Sequence, residues 1–240
     1  MKYALLLHMG ILLFLYEATA QGTVVASGGP NRMVEALTKD WKLTVVTSGA
    51  QFEEGSLYSG SMFYNPDWSK GYIRLSDNKE AGDLSLRYNA YTNQLYMKRD
   101  SDVLIVDGAA SPVSEFGLDM DGSMKVFRRG FPAVGSNTAQ TFYEVVAPGK
   151  FCLLELHAKR LVEKTDINHV RIKEMEDAGF WYVFDGSDNR INEIRHNKNA
   201  LLEALPGQAG ALKAIIQEKK LRLKDNEDWV ILFNELNSRH

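Results

Sequence analysis

The chain has 240 residues, with 28 Lys and Arg against 31 Asp and Glu, for a formal charge of −3 at pH 7. That near balance excludes the one-sided basic footprint of a nucleic-acid binder. The single cysteine, Cys152, excludes an intramolecular disulfide and a cysteine-rich zinc site. The length is enough for one large domain, or one domain with an appendage, around a sizeable core.

Residues 1–20 read as a signal peptide. Lys2 supplies a minimal positive start, Tyr3 to Tyr16 is nearly continuous apolar sequence, and Ala18-Thr19-Ala20 is a small-x-small cleavage signal. The apolar run is shorter than the roughly 20 residues that span a bilayer as a helix, so cleavage before Gln21 is expected rather than anchoring. Gln21 is not the cysteine a bacterial lipoprotein would need there. The expected product is a soluble periplasmic or secreted protein with no transmembrane segment in the mature chain.

Residues 21–42 form a Gly-rich start followed by a short helix opened by Pro30, with Met33, Val34, Leu37 and Trp41 on one face. A β domain is expected over 43–195. Leu43 to Thr47 makes a first strand, and Gln51 to Lys70 a long loop held down by Phe63, Tyr64 and Trp68 covering the end of the core. From Gly71 on, turn signals recur every eight to twelve residues, the rhythm of an antiparallel meander folded as a sandwich or barrel.

The central stretch of this meander is Leu84 to Lys98. Leu84, Leu86 and Tyr88 alternate with Ser85 and Arg87, and Leu95 and Met97 alternate with Tyr96 and Lys98, around a turn at Asn89 and Thr92-Asn93. Tyr72 to Leu75 precedes it and Asp102 to Val106 follows it. Val113 to Leu118 and Met124 to Phe127 are joined across Asp121-Gly122, a strong hairpin dipeptide. Thr141 to Val146 and Phe151 to His157 flank Pro148-Gly149, and Phe180 to Phe184 and Arg190 to Ile194 flank Asp185 to Asn189.

Past Arg195 the period changes, and residues 196–240 read as a three-helix tail. Asn197 caps a helix carrying Leu201, Leu202 and Leu205 that stops before Pro206. A second helix carries Leu212, Ile215 and Ile216. A third, capped by Asp225 or Asn226, presents Trp229, Leu232, Phe233 and Leu236 as a stripe that should dock on the β domain.

The order of Gly71-Tyr-Ile-Arg-Leu75, Leu86 to Lys98, Phe142 to Leu154 and the Leu205-Pro206 tail with Leu212-Lys-Ala-Ile-Ile216 resembles small exported β-rich proteins common in Bacteroidetes-type bacteria. The resemblance spans about Ser61 to Asn237 and implies a bacterial cell-envelope setting, with no activity attached to it.

The motifs of catalysis are missing. Gly-x-Ser-x-Gly, Gly-x-Gly-x-x-Gly, the P-loop pattern and His-Glu-x-x-His do not occur. Asp119-Met120-Asp121-Gly122 and Asp185 to Asn189 are explained as turns without calcium. His157, His169 and His196 are too dispersed for a sequence-local zinc site, and His157 with Glu155 reads as a solvated strand pair. Cys152 shares an apolar strand face with Leu154 and Leu156, which predicts a buried, inert thiol.

No catalytic, cofactor-binding or metal-binding residue is singled out, and no cofactor is expected. The expected function is a non-catalytic interaction module with an envelope protein or small molecule as partner. The alternatives are a carrier that holds a small apolar ligand in a β-barrel cavity and a hydrolase with a non-local site.

Overall fold

A computed structural model describes residues 44–45, 58–106, 113–165, 169 and 171–240. The expected N-terminal signal and helix lie outside them. Among the described residues the fold is mainly β, with eleven strands in one antiparallel sheet that is not closed. In chain order they are β1 (Thr44–Val45), β2 (Ser69–Leu75), β3 (Glu80–Asn89), β4 (Gln94–Arg99), β5 (Asp102–Ile105) and β6 (Val113–Met120). Then come β7 (Ser123–Arg128), β8 (Tyr143–Ala147), β9 (Phe151–Thr165), β10 (Arg171–Asp185) and β11 (Arg190–Ile194). Three helices follow: α1 (Lys198–Ala204), α2 (Ala209–Glu218) and α3 (Asn226–Ser238). Across the sheet the order is β1-β5-β4-β3-β2-β6-β7-β8-β9-β10-β11. After the edge strand β1, the chain enters the middle of the sheet with β2, works outward to β5, which pairs with β1, and returns with β6 to the other side of β2.

The local signals explain most turns. Asn89 Oδ1 accepts the N–H groups of Tyr91 and Thr92, and Asn93 takes φ 55°, so the β3–β4 hairpin closes on short polar side chains. Asp121 and Gly122 have φ 54° and 85°, the paired positive values of a type I′ turn between β6 and β7. Loop 58–68 crosses onto the sheet through a bridge between Phe63 and Asn89. Phe63 is buried beside Tyr96 on one face, under the Arg87 guanidinium, while Tyr64 packs on the other face against the main core.

One face of the sheet carries two cores in succession. A row of directly paired residues crosses seven strands: Ile73, Phe116, Phe127, Glu144, Glu155, Trp181 and Ile194. At the first end, Tyr88, Phe116, Phe127 and Phe142 fill the interior with mutually packed rings. At the other end the helices cover β8 to β11. Trp229, Leu232, Phe233 and Leu236 are fully buried with Ala147, Phe151, Leu153 and Val183. The tail therefore docks on its own sheet, as its apolar stripe predicts.

The caps are in place too. Asn197 accepts from Ala200 N, and Asp225 from Asp228 N. Asn237 fastens the end of α3 to the β8–β9 turn by accepting from Phe151 N and donating to the Phe151 carbonyl, each at 2.9 Å.

On the opposite face, Cys152, Leu154, Tyr143, Tyr182 and Ile191 form a smaller apolar cluster with Phe131. Cys152 is 4% exposed, its thiol donates to the Gly149 carbonyl, and burial pushes its pKa up. Folded protein should therefore react slowly with a maleimide and become reactive only in denaturant. Stoichiometric labelling within minutes under native conditions would contradict this packing.

Candidate functional site

The two acids in the middle of the long row are the chemical anomaly of the sheet. Glu144 on β8 and Glu155 on β9 are direct cross-strand partners, flanked by Phe127 on one side and Trp181 on the other. Like charges placed opposite each other on antiparallel strands repel and destabilise the pair. His157, two residues beyond Glu155 on the same face, brings its Nε2 to 2.6 Å from Glu144 Oε2 and 3.8 Å from Glu155 Oε2. Lys125 on β7 donates to Glu144 Oε1 at 2.9 Å. Tyr64 reaches over from loop 58–68, edge-on to His157 with ring centroids 4.6 Å apart.

Glu144 is 5% exposed, while the Glu155 and His157 side chains keep 19% and 21% of their surface. The pair Glu155 and His157 is thus half-buried, which corrects the expectation of solvated strand residues. The cause is loop 58–68 and the packed ring of Phe127, which cover that side of β9. Glu144 is what sequence reasoning missed. Its signal was a lone carboxylate inside the apolar run Phe142 to Val146, on the face that Glu155 and His157 would share once β8 and β9 pair.

The electrostatics separate the two acids. Burial raises the pKa of Glu144, but the hydrogen bonds from His157 and Lys125 more than offset it, so the net shift is downward. For Glu155 burial pushes the pKa up and outweighs the opposing pull of His157; the nearby Glu144 charge adds a smaller push upward and Lys125 a smaller pull down. A raised carboxyl pKa in the folded state means that stability is present below the unfolded value and is lost as pH rises through the folded one. At neutral pH the Glu155 charge therefore costs stability, and Glu155→Gln should raise the melting temperature at pH 7 but not at pH 4. An unchanged or lower value at pH 7 would contradict the assignment. Burial, then Glu144 and Glu155, also hold the Tyr64 phenol protonated far above its ordinary range.

Other predicted candidates stay apart. His169 is exposed, and the Asp121 and Asp185 turns are closed by local carboxylates, Asp119 Oδ1 accepting from Gly122 N and Asp185 Oδ1 from Ser187 N. His196 is stacked between Trp181 and Trp229, with ring centroids 4.4 and 4.5 Å away, and its Nε2 is buried without a hydrogen-bond partner. Burial lowers its pKa, so its contribution to stability is complete above the unfolded value near 6.5 and is lost as pH falls through the depressed folded value. His196→Phe, which keeps a stacking ring, should flatten the loss of stability below pH 6.5 relative to the parent. Identical pH profiles would contradict that role.

Beyond the cluster, β9 and β10 run on as an arm. Each has fifteen residues, yet β8 pairs with β9 only at Leu153, Leu154 and Glu155. Among the described residues no strand lies beside β9 past that point. Met175 donates its N–H to Ser59, so the facing Leu161 forms a non-hydrogen-bonded pair with it and points its own N–H and C=O at the open edge. Cross-strand ion pairs such as Lys159–Asp177 and Lys164–Glu176 hold the arm together. Leu161, Ile172 and Phe180 are exposed on it, at 39%, 40% and 41%.

Comparison with family models, with curated proteins and with solved structures finds no match to this chain. Nor is any described helix long and apolar enough to cross a membrane.

Proposed function

We propose that this is an exported cell-envelope protein acting as a non-catalytic interaction module, which takes a strand of its protein partner onto the outer edge of β9. The observation that carries this reading is the outer edge from Leu156 to Thr165, where among the described residues no strand pairs, while pairing with β10 on the inner side already fixes its conformation. Strand addition uses backbone hydrogen bonds for affinity, and exposed neighbours such as Leu161 for selectivity. Lys159 and Glu163 along the same edge discourage indiscriminate self-pairing. The ring-filled interior at Tyr88, Phe116, Phe127 and Phe142 favours this reading over a carrier that needs internal room. Export rests on Lys2, the Tyr3 to Tyr16 run and Ala18-Thr19-Ala20, so envelope protein should begin at Gln21.

The test is site-specific photo-cross-linking in the native envelope. A photoreactive residue at Leu161 should give a discrete protein adduct, while one at Met124, exposed in the β6–β7 hairpin, should not. Leu161→Pro removes an outward N–H without taking a hydrogen bond from β10, and should abolish the adduct captured through Val162. Adducts at Met124 alone, or recovery of a bound small molecule with no protein adduct, would overturn the proposal.

A further inference from the structure

We propose that Glu144, Glu155 and His157 form a binding site for a divalent transition-metal ion, of which zinc is the representative. The argument starts from the sheet register. Two carboxylates stand directly opposite each other in a row that is otherwise apolar, and Lys125 neutralises only the Oε1 side of Glu144. A cation between Glu144 Oε2 and Glu155 Oε2 turns that repulsion into attraction on both sides.

The donor geometry suits an ion. One atom each from Glu144, Glu155 and His157 lies within 4.8 Å of the others. Ligands bound tetrahedrally at zinc distances sit roughly 3.3 to 3.5 Å apart. The present separations of 2.6 and 3.8 Å from His157 Nε2 straddle that value, and the two carboxylates lie within 4.8 Å of each other, so small side-chain movements close the set around an ion. The ion takes the place of the Nε2 proton shared with Glu144, and the imidazole carries its proton on Nδ1 instead. A mixed nitrogen and oxygen set selects zinc and its first-row neighbours over magnesium or calcium, which prefer oxygen alone.

The surroundings are those of a prearranged site. Pairing of β8 with β9 fixes the two acids, the rings of Tyr64 and Phe127 hold His157, and Lys125 orients Glu144 through its Oε1. Supporting contacts of this kind set ligand orientation and are worth about 10- to 100-fold in metal affinity. One side is open: the residue opposite His157 is Gly179, whose missing side chain leaves the ion accessible, and a Cβ there would sit 3.4 Å from Glu155 Oε1. Three protein ligands and one accessible position leave room for water or a donor from outside.

The experiment is calorimetric titration of zinc into metal-free full-length protein, with circular dichroism of each variant as a check on folding. One ion per chain is expected. Glu155→Gln and His157→Ala should each weaken binding by more than about 10-fold. His169→Ala, which alters an exposed histidine elsewhere, should not. Gly179→Val keeps all three donors but fills the open side, and should weaken binding as well. Unchanged affinity in folded Glu155→Gln, or absence of zinc binding by the parent, would overturn the proposal and leave the three residues as an ion-pair network that seats the arm. Neither result bears on the β9 edge, which is read by cross-linking.

Discussion

Phe233→Ala is expected to cost the isolated protein about 3 to 5 kcal/mol of stability, the range for emptying a buried aromatic site. Phe233 is fully buried in the layer where α3 meets the sheet, beside Trp229, Leu232 and Leu236 and facing Ala147, Phe151, Leu153 and Val183. Its neighbours cannot collapse into the gap cheaply. Asn237, one turn further along α3, is clamped to the backbone of Phe151. The indole N–H of Trp229 is held by the Leu223 carbonyl, and Leu223 N by Asp228. A helix fastened at both ends keeps its distance from the sheet, so most of the cavity remains. For a domain of this size the loss amounts to roughly 6 to 20 °C in Tm. Denaturant titration of the monomer checks it. Unchanged stability combined with a lost association would show instead that the stripe serves a partner.

The same helix shows what was legible from the sequence. A stripe at 3.6-residue spacing, a capping Asp225 and acidic Glu227 and Asp228 in the first turn are local statements, and local physics decides them. The Leu84 to Lys98 hairpin and the Asp121-Gly122 turn were readable for the same reason. The outer halves of β9 and β10 were not. From Ala158 to Thr165 and from Arg171 to Ala178 charged residues dominate and the apolar residues do not alternate with them, so no buried face announces a strand. Pairing with each other and cross-strand ion pairs hold them instead. The return of β6 to β2 was equally invisible, because it depends on contacts between segments some forty residues apart, such as Tyr72 with Glu115.

The candidate site lies between these extremes. Glu155 and His157 two residues apart on a strand are visibly on one face, but Glu144 joins them only through the register of β8 on β9, which a bulge near Val145 and Ala147 adjusts. A one-residue slip would send Glu144 to the opposite face. The turn that sets this register, at Pro148 and Gly149, is also the turn that Asn237 grips from α3. The helical tail and the acidic pair are thereby parts of one arrangement: docking of α3 fixes the turn, and the turn fixes which side chains meet across β8 and β9.

Gly71→Ala is expected to be as damaging as the cavity in the helical layer, by the opposite route. Gly71 lies in β2, the strand from which the sheet grows in both directions, paired with Leu84 of β3 and Leu118 of β6. A Cβ there would lie 2.0 Å from the Gly117 carbonyl oxygen, with the Leu86 side chain at 3.1 Å behind it. The obstacle is backbone, and β6 is held on its far side by β7, so neither strand can retreat without breaking ladder hydrogen bonds. Overpacking of this kind costs about 1 to 3 kcal/mol when side chains can shift. With a carbonyl in the way the expected loss is at the top of that range or beyond it. Gly117→Ala is the internal comparison. Its Cβ would strike the Tyr72 ring at 2.2 Å, a side chain that can swing aside at the expense of its hydrogen bond to Glu115. Chemical denaturation of both variants should therefore rank Gly71→Ala as the more destabilised. A reversed order, or a Gly71→Ala protein as stable as the parent, would mean that the Gly117 carbonyl does not block a side chain at position 71.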